Sequence, residues 1–319
     1  MICSGCGFYR KVYAKNSKLY LFRSGGNAVF SIVIPYYNIG NLIYRTLESL
    51  SCQTLKLFEV VIVDDGSTIP LSLDSSKYSF DLKIVRTPNQ GVSVARNTGA
   101  SISKYDWLVF LDAGDFYKDN FLLKMREAIN SNPNYAVYAS AFSFYQIEKE
   151  YVANTDLVVY LKIFNYQDYL LHMCNAKYLF HICSITFSKS LFFDIGGFSP
   201  TSTHGEDHEL ILKALRLVNK FIFINEPLFC YCLDDTNSVT RSNKYQPCYA
   251  HSNYLLSIEM RIALENRYLV YTLVDNFIVN IKKGYTVKAV KSILSFLPFS
   301  LYVEFLKVFI KRVLLYANK

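Results

Sequence analysis

The sequence has no second cysteine pair at zinc-ligand distance, no long uncharged apolar run, no internal repeat and, over its first 29 residues, no acid. Each absence removes a class of function. Of the 8 cysteines, Cys3 and Cys6 stand at zinc-ligand spacing, but no other pair lies at a matching distance to close a tetrahedral site. Structural zinc is therefore not expected. The remaining thiols are scattered, as in a chain whose cysteines stay reduced in the cytosol. No uncharged apolar span reaches 18 residues, so a transmembrane helix is not expected; the nearest, Ser292–Phe305, holds Pro298 and Glu304. Arg10, Lys11, Lys15 and Lys18 break up the start of the chain, and a signal peptide is not expected either. Residues 1–29 carry five basic and no acidic residues, and residues 267–319 nine basic residues against Asp275 and Glu304. With a net charge of +8, the body between them holds −4. A slightly acidic body with basic ends argues against a nucleic-acid groove and for contact with an anionic surface.

What is present is a folded chain. A hydrophobic share of 51% over 319 residues suits one large α/β domain with additions, or two domains. Short continuous apolar runs closed by polar residues predict strands buried on both faces at Phe30–Pro35, Phe58–Val63 and within Trp107–Asp115 (WLVFLDAGD), with a shorter one at Lys83–Val85. Helical spacing predicts helices from Leu42, over Val92–Ser103, around Phe121–Asn130 and over Glu206–Val218. Tyr135–Phe144, Ile182–Ser188 and Phe221–Tyr231 read as extended, and the chain from Tyr245 reads as helical. Strands alternating with helices imply a mostly parallel central sheet flanked by helices, Rossmann-like, with a helical C-terminal extension. The organisation expected is a basic extension over 1–29, a catalytic domain over 30–240 and a basic, apolar helical region over 241–319.

In such a sheet, ligands sit at the carboxyl ends of the strands. The polar clusters fall there: Tyr37 and Asn38 after the first strand, Asp64 and Asp65 after the second, Asp112 and Asp115 after the fourth. Asp112 and Asp115, separated by Ala113 and Gly114, are hard oxygen ligands for a divalent cation. Taken alone, they serve equally well as caps for the next helix. Glu206 and Asp207 open a second chemical centre at a helix start, where the macrodipole favours ionised carboxylates. His204 and His208 flank them and read as structural.

These pieces together resemble the inverting glycosyltransferases of family 2, which have the GT-A type nucleotide-sugar fold. FSIVIPYYN, SLSCQT, EVVIVDDGST, PNQGVSVARNTGA, WLVFLDAGD, and later IGGF with GED occur in the family's order and spacing from about Phe30 to about Tyr231. The resemblance implies a hexosyltransferase that moves a sugar from a nucleoside diphosphate sugar, a UDP-sugar, to a glycan or lipid-linked saccharide. It implies that Pro35, Tyr37, Asn38, and Asp64 or Asp65 hold the base and ribose, that Arg96 pairs with phosphate or positions the acid next to the base, and that Asp112 belongs to the donor site. Asn97 would hold a helix start rather than touch substrate. Asp207 would be the general base and Glu206 an acceptor-side support. Asp112 and Asp115 would bind Mn²⁺ or Mg²⁺.

Two departures stand out. The common family pattern is Asp-x-Asp-Asp, and this chain has Asp112-Ala113-Gly114-Asp115, so either Asp115 moves in to reach the metal or the metal is held more weakly. Relatives often carry a histidine shortly after the position of Tyr231; Asp234 stands there, a candidate replacement ligand. Two rivals remain open. One is an inert nucleotide-sugar binding module. The other is a metal-dependent nucleotidyltransferase, disfavoured because Phe30–Leu42 holds no Lys or Arg for a phosphate loop. The segment Tyr302–Tyr316 reads either as a helix packed on the body or as one lying on anionic lipid. The second reading puts the protein peripherally on the cytoplasmic face of a membrane.

Overall fold

The computed structural model describes residues 9–10, 22–23, 28–146, 149–152, 160–175, 178–201, 204–233 and 250–317. A two-stranded antiparallel pair, β1 (Tyr9–Arg10) and β2 (Phe22–Arg23), precedes the body. The first half of the body runs β3 (Phe30–Tyr36), α1 (Leu42–Ser51), β4 (Phe58–Asp65), β5 (Asp81–Thr87), α2 (Val92–Ile102), β6 (Trp107–Phe110), β7 (Phe116–Tyr117) and α3 (Phe121–Ser131). The second half runs β8 (Val137–Gln146), β9 (Lys149–Val152), β10 (Leu161–Asn165), α4 (Tyr166–Cys174), β11 (Ile185–Ser188), α5 (Lys189–Asp194), α6 (Glu206–Val218) and β12 (Lys220–Cys232). Four helices follow: α7 (Ala250–Ser257), α8 (Ala263–Lys282), α9 (Thr286–Phe296) and α10 (Tyr302–Ala317).

Strand order is β10-β12-β8-β11-β6-β3-β4-β5. Six of these eight strands point the same way, and only β11 and β10 run against them. The sheet is thus mostly parallel and flanked by helices. Ile32, Val33, Ile34, Val60 to Val63 and Leu108 to Phe110 are fully buried, which is why these strands read as unbroken apolar runs. Pro35 lies past the last β3–β6 pair, Val33 with Phe110, so its missing N–H breaks no ladder on that side. Helix α2 can lie close against β3 because residue 99 is glycine: a Cβ there would come within 2.3 Å of a Val33 methyl.

The reversal of β11 matters most for the site. Its amino end, preceded by a short 3₁₀ turn at Ile182–Ser184, reaches the edge where β3, β4 and β6 end. At the opposite edge an acid is spent on structure. Glu59 accepts from the Ser31 hydroxyl and from the Lys104 N–H, and is buried.

Helices α7 to α10 contribute to the same hydrophobic core as the sheet, through Leu255, Leu269, Leu273, Ile293 and Phe305 among others. Buried Glu265 of α8 ties the helices to the body. It accepts from Tyr166 Oη at 3.0 Å, from Arg216 Nε at 2.9 Å and from the Ile262 N–H at 2.8 Å. Among the described residues no single helix is long and apolar enough to cross a membrane.

Candidate active site

The loop after β6 begins as a continuation of the strand, with the Leu111 N–H donating to Val33 O at 3.0 Å. It then turns: the Asp115 N–H donates to Asp112 O at 3.1 Å, and Gly114 takes φ +104°, a conformation open to glycine and strained for other residues. Helix α1 clasps the turn. Thr46 Oγ1 accepts from the Gly114 N–H (2.8 Å) and donates to Asp115 O (2.7 Å), while Arg45 Nε donates to Gly114 O (2.7 Å). A Cβ at 114 would face Leu42 and Arg45. Asp115 turns inward and is buried; its Oδ1 accepts from the Cys232 N–H at 2.8 Å. Ligand atoms of Asp112, Asp115 and Cys183 lie within 4.8 Å of one another.

Arg96, in the second turn of α2, is the hub. It is 2% exposed. Its Nη2 donates to Asp112 Oδ1 and its Nη1 to Asp207 Oδ1, both at 2.7 Å, with Glu206 Oε1 at 3.8 Å from Nη1. The guanidinium lies 5.0 Å over the Phe198 ring. Planar bidentate geometry is what lets one residue bridge two carboxylates from distant segments. Burial pushes the Asp112 carboxyl up, but Arg96 more than reverses this and holds it below the usual range. Glu206 goes the other way: burial and the neighbouring Asp207 charge push it up to about 7, against the pull of Arg96. Gly205, at φ +78°, precedes Glu206 and Asp207, which form the first turn of α6.

Sequence reasoning missed His181 and Cys183. The reversed β11 brings them in, and no sequence pattern announces that register. The His181 ring stacks on Phe229 at 5.2 Å and lies against Tyr231 at 5.2 Å. Its Nδ1 accepts from the Cys183 N–H at 3.3 Å, which puts the proton of the neutral ring on Nε2. Burial lowers the His181 pKa, while Asp207 and Asp112 oppose that shift, so the ring shares their field. Asn97 corrects an expectation. It does not hold the start of α2 but brackets Phe198, accepting from its N–H (2.9 Å) and donating to its carbonyl (2.8 Å). That bracket fixes the ring under Arg96. His208 packs inward against His251 and Tyr178, as a structural residue does.

Along the same edge, Tyr37 is 48% exposed at the rim. Asn38, at φ +53°, ties two loops: its Oδ1 accepts from the Thr68 N–H (2.9 Å), and its own N–H donates to Ser67 Oγ (3.0 Å). Both aspartates ending β4 are buried and engaged. Asp64 accepts from the Ser67 and Leu71 N–H groups and from Arg86, and these donors bring its pKa down despite burial. Asp65 accepts from the Gln90 and Gly91 N–H groups at 2.9 and 2.8 Å, fixing the start of the helix that carries Arg96. Asp234 lies outside the described residues.

The donor set suits a hard divalent cation in part. Asp112 and Asp115 are carboxylates, whereas burial raises the Cys183 thiol and keeps it protonated, a weak ligand. Among the described residues Asp112, Glu206 and Asp207 share one guanidinium, so negative charge is in excess. A cation would be welcome there.

Comparisons with known proteins point one way. Residues 31–196 match the sequence model of Glycosyl transferase family 2. An uncharacterized glycosyltransferase of Haemophilus influenzae is 32% identical over 238 residues, which are 72% of this chain and 79% of that protein. The amylovoran biosynthesis glycosyltransferase AmsB of Erwinia amylovora is 30% identical over 220 residues, 63% of this chain and 69% of that one. The fold is similar to that of Staphylococcus aureus TarS 1–349 solved with UDP-GlcNAc. The TM-score is 0.61 at 16% identity, covering 87% of this chain and 78% of that one.

Proposed function

Because this chain belongs to glycosyltransferase family 2, we propose that the centre around Arg96 transfers a sugar with inversion from a UDP-sugar to a saccharide or lipid-linked acceptor. The work belongs to surface polysaccharide synthesis at the cytoplasmic face of a membrane. The observation that carries this reading is the double clamp of Arg96 on Asp112 and Asp207 at 2.7 Å each. It joins the loop suited to the donor diphosphate to the carboxylate suited to the acceptor hydroxyl.

In this reading Tyr37 stacks on the uracil at the rim, beside Pro35 and Asn38. Asp64 and Asp65, already engaged by backbone donors, act by holding the two loops that line the base and ribose. Asp207 takes the acceptor hydroxyl proton as the oxygen attacks the anomeric carbon and the bond to the diphosphate breaks. Arg96 orients that carboxylate, and Glu206 supports the acceptor. His181 Nε2–H is a neutral donor within the electrostatic field of both acids. Asp112 and Asp115 would hold Mn²⁺ or Mg²⁺, with Asp234 a further candidate ligand. Such an ion, when bound, neutralises charge on the departing diphosphate as a Lewis acid.

The test is a panel of nucleotide sugars with Mn²⁺, with Mg²⁺ and with EDTA, reading released nucleoside diphosphate. Release of UDP from one UDP-sugar, increased by the ions, is expected. Binding without release under every condition would mean an inert nucleotide-sugar module. Release of inorganic pyrophosphate from a nucleotide triphosphate and a sugar phosphate would mean a nucleotidyltransferase.

A further inference from the structure

Helices α9 and α10 meet at a bend of 114°. Both share the core and both leave apolar residues in solvent. On α9 the inward side is Ala289 and Ile293, while Val287, Val290 and Leu294 are exposed at i, i+3 and i+7. On α10 the inward side is Phe305 and Val308, and Val303, Leu306 and Ile310 are exposed at the same spacing. At about 100° per residue, the exposed stripe of α9 lies roughly a third of a turn from its buried side, and that of α10 lies nearly opposite its buried side. Lysines border each exposed stripe: Lys288 and Lys291 on α9, Lys307 and Lys311 on α10, all exposed, with half-buried Glu304 on the lysine side of α10. Phe299, at the bend, is 91% exposed.

An apolar stripe bordered by long cationic side chains is the pattern of a helix lying in a bilayer interface. The stripe enters the acyl boundary and the lysines reach up to headgroups. We infer that the α9–α10 elbow is a docking surface for an anionic lipid bilayer, with Phe299 as its insertion tip. Charge decides the occupant. A second copy would set lysine stripes against lysine stripes, whereas acidic headgroups complement them. The docking does not depend on the transferase reading.

The experiment is co-sedimentation of the full chain with phosphatidylglycerol-containing vesicles and with phosphatidylcholine vesicles, alongside its oligomeric state and UDP-sugar hydrolysis. Wild type is expected to bind the anionic vesicles at least about tenfold more tightly. Leu294→Glu with Leu306→Glu, and separately Lys307→Glu with Lys311→Glu, are each expected to lose about tenfold while hydrolysing soluble donor normally. Normal hydrolysis shows that these variants fold. Equal binding to both vesicle types overturns the inference. So does a wild-type dimer that Leu306→Glu converts to monomer with vesicle binding unchanged. Anionic-selective binding without any donor hydrolysis supports the docking surface and counts against the transferase reading.

Discussion

The two edges of the sheet treat buried acids differently. At the amino edge, Glu59 accepts from the Ser31 hydroxyl and the Lys104 amide, joining the start of β3 to the segment that enters β6. At the carboxyl edge, Asp112, Glu206 and Asp207, from segments nearly 100 residues apart, share the guanidinium of Arg96. One arrangement closes a fold. The other stores unbalanced charge in a place a ligand can reach, and folding alone gives no reason to keep it there.

Substitution separates the two edges. Arg96→Ala is expected to have the largest effect. It leaves partly buried carboxylates facing one another, costing about 3 kcal/mol or more in stability and about 10³-fold or more in turnover. Arg96→Lys recovers little of the rate, because one ammonium cannot form the two-pronged clamp. Chemical denaturation and donor turnover measure both. A variant with near-normal turnover would dissolve the contrast between the edges.

Glu206→Gln sharpens it next, through pH. The Glu206 carboxyl sits above its ordinary value when folded, at about 7. The proton therefore stabilises the native state, and wild-type stability falls as pH rises from the ordinary carboxylate value through 7. The shift corresponds to at most about 3 kcal/mol. Thermal melts from pH 5 to 8 should show that slope in wild type and little of it in Glu206→Gln. An identical slope in both removes Glu206 as its source.

Glu59→Ala gives a smaller effect of another kind. It strands the Ser31 hydroxyl and the Lys104 amide and costs about 1–3 kcal/mol, with kcat and KM for donor unchanged. A kinetic change at this distant edge would show that the two edges are coupled. The smallest effect belongs to Tyr37→Ala. An exposed ring contributes little to folding, so melting should stay within about 0.5 kcal/mol of wild type. KM for the UDP-sugar should rise several-fold.

The parts of this molecule that were legible share a physical cause. Strands β3, β4 and β6 are covered on both faces and so carry continuous apolar runs, and α6 displays one buried face. The polar edge followed from strand direction. Strand β10 escaped because it lies at the sheet margin and alternates irregularly, with Lys162 and Ile163 exposed. Helix α4 did carry a signal, the Asn165–Asp168 capping box, but its apolar periodicity is weak. His181 and Asn97 were hidden for a different reason. Their roles depend on an antiparallel register and on a loop more than 100 residues away, and local pattern contains neither.

Asp207→Asn tests the central claim most directly. The substitution keeps the size of the side chain and one acceptor for Arg96, but removes the base. UDP binding followed by calorimetry should stay within about twofold of wild type, while sugar transfer falls by about 10³-fold. Transfer at the wild-type rate, or loss of UDP affinity in step with loss of transfer, would contradict a centre in which Arg96 holds a separate acceptor-side base against a donor-side loop.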